Sequence, residues 1–389
     1  MAIGAALSLT VVFLGWSAGW FRPDAPSRPI SARSAEETVR ERLLSVVGTG
    51  EGERADPWLL AHALLALDRD DQSGRQQLIE ELQSWRVEVP GGGIEIALHR
   101  PEGRGEQHPD LVLKVLAEVA AETGDRAAGA FADELVPASV KRFTPPRDFR
   151  SWNDRAWFLQ GVAMRSLVHS KWGKETRLGE SDWTFGRLAE GMLTQIERGD
   201  RVVEEALGVA GEFVRPDGMG TDEESGIYAY TCGGQHLLQA VIYASIAGWL
   251  PESEKARLDA RLDLFSLRLA AEEEFRLAES KRALAAGVSE LRVLRRRIEA
   301  TLKLQGHALE TLSAAHQAFP SQRPTIDTEL QILREKVVRL LVIRVERLDP
   351  KGEIAARLRA GDPRAWELWF GDGAHALHGL LLAGSILGK

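Results

Sequence analysis

A single cysteine, Cys232, in a chain of 389 residues excludes an internal disulfide framework. Basic charge is also scarce. Against 57 Asp and Glu stand 49 Lys and Arg, a formal charge of -8, so no nucleic-acid partner, which would ask for a basic face, is expected. The local run Arg295-Arg296-Arg297 does not alter this, because Glu290 and Glu299 flank it as helix-surface ion-pair partners. The chain has no Gly-x-x-x-x-Gly-Lys phosphate loop, no Gly-x-Ser-x-Gly elbow and no His-Glu-x-x-His motif. Pro90-Gly91-Gly92-Gly93 opens no helix and reads as a turn, not a dinucleotide fingerprint. Proline is missing between Pro251 and Pro320, which permits long helices there.

Charge is absent from residues 2–21, a run holding Leu7, Leu9, Val11, Val12, Phe13 and Leu14, with Trp16 and Trp20 near one end. At ~1.5 Å per residue it matches a hydrocarbon core of ~30 Å, and indoles favour the interface. Residues 1–21 therefore read as a transmembrane anchor or a signal segment, and 22–35, with Pro23, Pro26 and Pro29, as a linker. The expected protein is membrane-anchored through 2–21. A lone N-terminal apolar segment more often exports the domain behind it, so that domain is placed on the extracytoplasmic side. Arg22, Arg28 and Arg33 behind the run pull instead toward the cytoplasm.

A short phrase recurs along the rest of the chain, a histidine opening an apolar helical run. It reads His62-Ala-Leu-Leu-Ala-Leu, His236-Leu-Leu-Gln-Ala-Val, His307-Ala-Leu-Glu-Thr-Leu and His375-Ala-Leu-His-Gly-Leu, with a looser copy at His108-Pro-Asp-Leu-Val-Leu. Such recurrence predicts helical hairpins that bury their apolar faces against one another. Helix signals dominate throughout. Asp56-Pro57 is a helix start with Asp at the N-cap and Pro in the first turn. Separate helices are expected over 183–198 and 200–214. An a/d-like stripe runs through Leu284, Val288, Leu291, Ile298 and Leu302, with a break near Ala286-Gly287. The only strand signal is the alternation at 94–98. The fold class is all-α: a helical-repeat domain over 36–250, long amphipathic helices over 251–349 and a C-terminal helix within 350–389 that completes the repeat domain.

The pattern resembles the α/α-toroid repeats of terpenoid cyclases and protein prenyltransferases. The resemblance is carried by the stretch from Gly226 through Cys232-Gly233-Gly234-Gln235-His236 and by Asp372-Gly373-Ala374-His375-Ala376-Leu377. It implies inner helices around a central cavity. Prenyltransferase-like toroids carry a zinc site of Asp, Cys and His at comparable helix starts. This chain departs from them, since Thr231 and Tyr230 precede Cys232 where an Asp-x-Cys pair would stand. Asp68-Arg69-Asp70-Asp71 matches the Asp-x-Asp-Asp acid motif of the cyclases. Its surroundings are polar and favour a solvated helix end.

The candidate residues form two sets. His62, His108, His236 and His375 are candidates to line one cavity as bases or ligands, or to serve as structural helix-start residues. Cys232 and His236, four apart, share a helical face and can hold zinc, with Asp372 and His375 supplied by the last helix. No motif demands any other cofactor. The acidic loop Asp217–Ser225 lacks the spacing of a calcium loop. Two functions stay open at this point. One is a binding or scaffold module of the cell envelope, with 253–348 taking a protein partner or self-associating. The other is an α/α-toroid enzyme, zinc-dependent or not, acting on an isoprenoid or a carbohydrate.

Overall fold

The computed structural model describes residues 31–47, 56–90, 92–96, 110–169, 171–210, 234–351, 353 and 370–388. The apolar run 2–21, His108, Cys232 and the loop 217–225 lie outside them. Among the described residues no helix is long and apolar enough to cross a membrane. The expectation of a membrane-anchored envelope protein is corrected accordingly, together with the placement built on it.

The described residues are all-α apart from one short hairpin. The helices are α1 (Ala32–Val47), α2 (Pro57–Ala66), α3 (Gln72–Gln83), α4 (Leu111–Thr123), α5 (Arg126–Lys141), α6 (Phe149–Ser166) and α7 (Phe185–Ala210). They continue with α8 (Gln235–Ile246), α9 (Glu252–Asp263), α10 (Phe265–Ala285), α11 (Glu290–Ala318), α12 (Arg323–Ile343) and α13 (Asp372–Leu387). Strands β1 (Arg86–Glu88) and β2 (Ile94–Ile96) pair antiparallel, with Val87 opposite Glu95.

Local chemistry sets these boundaries. Asp56 caps α2, its carboxylate accepting from Trp58 N at 2.7 Å, and Pro57 occupies the first turn. Asp71 caps α3 by accepting from Gly74 N at 2.8 Å, so the acidic motif at 68–71 serves a helix start. Gly124, at φ +71°, ends α4 in a left-handed turn that a side chain would strain. Asp125 follows at once as the cap of α5, accepting from Ala127 N and Ala128 N. The α4–α5 hairpin thus turns in two residues.

The packing order positions the site. Helices α2, α4, α6, α8, α11 and α13 each pack on the next, and α13 packs back on α2, closing a ring of contacts. The others lie against it: α3 on α2, α5 on α4, α7 on α8, and α12 on α11, α13 and α1. Leucine, valine, alanine and phenylalanine fill the space between them, Leu60, Leu116, Phe158, Leu238, Leu309 and Ala376 being at most 1% exposed. The stripe expected through 284–302 divides. Ile298 and Leu302 join the core, whereas Leu284 and Leu291 stay exposed where α10 turns into α11.

The α11–α13 seam is the closest of the ring. A Cβ on Gly306 would stand 2.9 Å from Ala376 N and 3.0 Å from its Cα, and one on Gly379 would stand 2.8 Å from Gly306 O. These are backbone neighbours that cannot swing aside. Gly306→Ala is therefore expected to cost about 1–3 kcal/mol from overpacking, despite the better helix propensity of alanine. Urea unfolding reads this directly, and an unchanged midpoint would mean that the seam has slack.

Candidate metal centre

Each inner helix sends polar or aromatic side chains to one place. From α2 comes His62, from α4 Lys114 and Glu118, and from α6 Trp157 and Gln160. His236 and Gln239 come from α8, His307 and Glu310 from α11, and His375 and His378 from α13. All are buried. The pairs His236/Gln239, His307/Glu310 and His375/His378 are three residues apart, so both members of each share a helix face.

Glu310 is the hub. Its Oε2 lies 3.0 Å from His307 Nδ1, and its Oε1 lies 2.9 Å from His375 Nδ1 and 2.8 Å from His378 Nδ1. Burial opposes ionisation of Glu310. The Lys114 ammonium and the hydrogen bonds from His307 and His375 nevertheless hold its carboxyl below the usual range. An ionised carboxylate only accepts, so each Nδ1 must carry the hydrogen and donate. Burial pushes His375 well below the ordinary imidazole value and lowers His307, the adjacent Glu310 only partly opposing this. These two rings are neutral and keep a lone pair on Nε2.

His378 differs. Its Nε2 lies 2.8 Å from Glu122 Oε1, so both ring nitrogens face carboxylates. Burial works to lower it, but Glu122 and Glu310 push it up to about 10. It is an imidazolium and offers no lone pair. Beside it, Lys114 Nζ lies 2.6 Å from Glu118 Oε2, and Gln160 Nε2 donates to Glu118 Oε1 at 2.8 Å. Burial raises Glu118 to about 7 against the pull of Lys114 and His378.

The rings pack into one cluster. Centroid separations are 4.0 Å for His307–His375, 4.4 Å for His236–His307, 5.3 Å for His62–His375 and 6.2 Å for His236–His375. Trp58 covers His62 at 3.9 Å, and Trp157 covers His236 at 4.3 Å. Within the cluster, His307, Glu310 and His375 each offer a ligand atom, all within 4.8 Å of one another.

Of the cavity candidates, His62, His236 and His375 come together and His108 lies outside the described residues. Of the zinc candidates, Cys232 also lies outside them, His236 and His375 are in the cluster, and Asp372 turns elsewhere. Asp372 is buried near Lys303, with Oδ1 to Nζ at 3.9 Å, and burial raises it to about 7 against Lys303 and Arg344. The candidate sets omit His307, Glu310 and His378, although all three stand inside the recurring phrase. The signal is a second polar residue three places after the histidine in an apolar run.

A cavity of about 20 Å³ reaches the cluster at His378 and Glu122, between Leu65, Arg69 and Arg75. That volume holds about one water, so it is not the isoprenoid or carbohydrate chamber that the enzyme reading requires. The chain matches no protein-family model, no curated protein and no solved structure.

Proposed function

We propose that this protein binds a divalent transition metal, zinc foremost, at the His307–Glu310–His375 group, as a closed centre joining α11 to α13 within an α/α-toroid arrangement. The observation that carries the reading is the group itself: two imidazoles held through Nδ1 by one carboxylate, the possible ligand atoms of all three residues lying within 4.8 Å of one another on two adjoining helices. A carboxylate that accepts from Nδ1 presents Nε2 to a metal and fixes the ring. Imidazole donors suit zinc, copper and nickel. The anionic Glu310 offsets part of the ion's charge in a buried place.

Burial on all sides favours a structural ion over a catalytic one, because catalytic zinc keeps an open position. The ion's chemistry here would be to hold helices distant in sequence against each other. Such binding adds to folding stability by mass action, about 2.7 kcal/mol at a free metal concentration 100 times Kd.

The test is metal content and thermal stability of the full chain after loading with zinc and dialysis. One ion per chain is expected, with a melting temperature that falls on adding EDTA, and neither property in His375→Ala. Failure of the wild-type chain to retain zinc, copper or nickel would sink the proposal.

A further inference from the structure

We propose that the turn between α10 and α11 is a docking tip for an anionic phospholipid surface, its exposed leucines entering the headgroup layer while its cations meet lipid phosphates. The contact is peripheral, made by one end of a helical hairpin with no segment crossing a bilayer. It is independent of the metal centre.

The shape of the hairpin provides the tip. α10 ends at Ala285 and α11 starts at Glu290, with Gly287 at φ +81° in the turn and open space where its Cβ would stand. From Leu277 to Arg292 no residue is buried, so the end of the hairpin stands out from the core. Among the described residues five large apolar side chains are exposed, and two of them are here, Leu284 at 36% and Leu291 at 55%. A single exposed leucine is ordinary. The surroundings of this pair are not.

The chain carries a formal charge of -8, yet the tip is basic. Lys281, Arg282, Arg292, Arg295 and Arg296 stand there against only Glu279 and Glu290. None of these five cations forms an ion pair among the described residues, and Arg295 Nε is buried without an acceptor. The ion pairs that the sequence predicts for this run are not made by Glu290, and Glu299 is buried. On α11, Leu291 and Arg295 are four residues apart, as are Arg292 and Arg296, so cation and leucine share one side of the helix.

Apolar side chains at an apex with basic ones around them match a lipid interface, where the former enter the boundary of headgroup and acyl chain and the latter meet phosphate. A nucleic acid would satisfy the cations but offers its phosphate backbone, not an apolar layer, to the leucines. An acidic protein would need a pocket shaped to a convex tip, and a bilayer surface needs none.

Co-sedimentation of the full chain with vesicles tests the proposal. Binding should be at least about tenfold stronger to phosphatidylcholine vesicles holding about 30% phosphatidylglycerol than to phosphatidylcholine alone, and should weaken as salt rises. Leu284→Ser/Leu291→Ser and Arg292→Gln/Arg296→Gln should each lose most of that preference while keeping the wild-type melting temperature, because the four side chains are exposed. Arg177→Gln/Arg187→Gln removes the same charge from exposed positions elsewhere and should bind as the wild type does. Equal binding to both vesicle types, or wild-type binding by both tip variants, would overturn the proposal. Tighter binding to a DNA duplex than to the anionic vesicles, lost in the arginine variant, would also overturn it and assign the tip to nucleic acid.

Discussion

Glu310→Gln, measured in the metal-free chain, is expected to lose about 3–5 kcal/mol of unfolding free energy, the cost of breaking a buried ion pair from one side. The amide keeps the volume, so the loss reads charge and hydrogen bonding, not a cavity. Three imidazole N–H groups converge on this carboxylate, and an amide oxygen can serve them only in part while its NH2 competes with them. His378 is left as a buried cation with Glu122 alone.

The dependence on pH comes from the directions of the shifts. His378 is raised from 6.5 to about 10 on folding, so its contribution is complete below pH 6.5 and disappears as pH rises through about 10. Glu310 is held well below 4.5, so its contribution is complete above that value and is lost as pH falls through its folded value. The gap between wild type and variant should be widest between about pH 4.5 and 6.5 and should narrow as pH rises toward about 10. Urea unfolding across that range in EDTA measures it, and a gap under about 1 kcal/mol would mean that Glu310 does not organise the cluster.

The second large effect lies one helix away. Lys114→Met should cost about 3–5 kcal/mol at pH 8, because it strands the Glu118 carboxylate in the core without its partner at 2.6 Å. Glu118 already titrates near 7 with the ammonium beside it, and without that cation it titrates higher still. A carboxyl whose folded value exceeds its unfolded value weakens folding as pH rises between the two. The penalty should therefore shrink at pH 6, where Glu118 can take up a proton, and keep growing above pH 7. The double variant Lys114→Met/Glu118→Gln should recover most of the loss, since replacing both partners of a buried pair is far milder than removing one. Simple additivity of the two single losses would refute this account.

Much of the centre is legible in the amino-acid order, and the gaps have physical causes. A histidine opening an apolar helix is visible wherever it occurs, and four of those phrases deliver the four ring-packed histidines. The inward role of Glu310, His378 and Lys114 is hidden because α4, α13 and residues 304–315 of α11 are buried on nearly every side. Such a helix has no polar face against which an inward polar residue stands out. Boundaries fail where a long-range partner claims a residue with a local reading. Asp200 looks like the cap of a new helix, yet α7 runs through it without a break. Its carboxylate is spent on Arg261 at 3.2 Å and Arg268 at 3.1 Å, both from later helices.

The closing contact of the ring brings α2 and α13 together across more than 300 positions of chain. Loop-closure entropy makes such a contact late in folding. Until α13 docks, α2 and α11 present His62, His307 and the Glu310 carboxylate on open flanks. During synthesis these groups are made long before the segment that covers them. A chain not yet covered by α13 leaves apolar and charged surface exposed, the kind of species that chaperones hold and proteases sample.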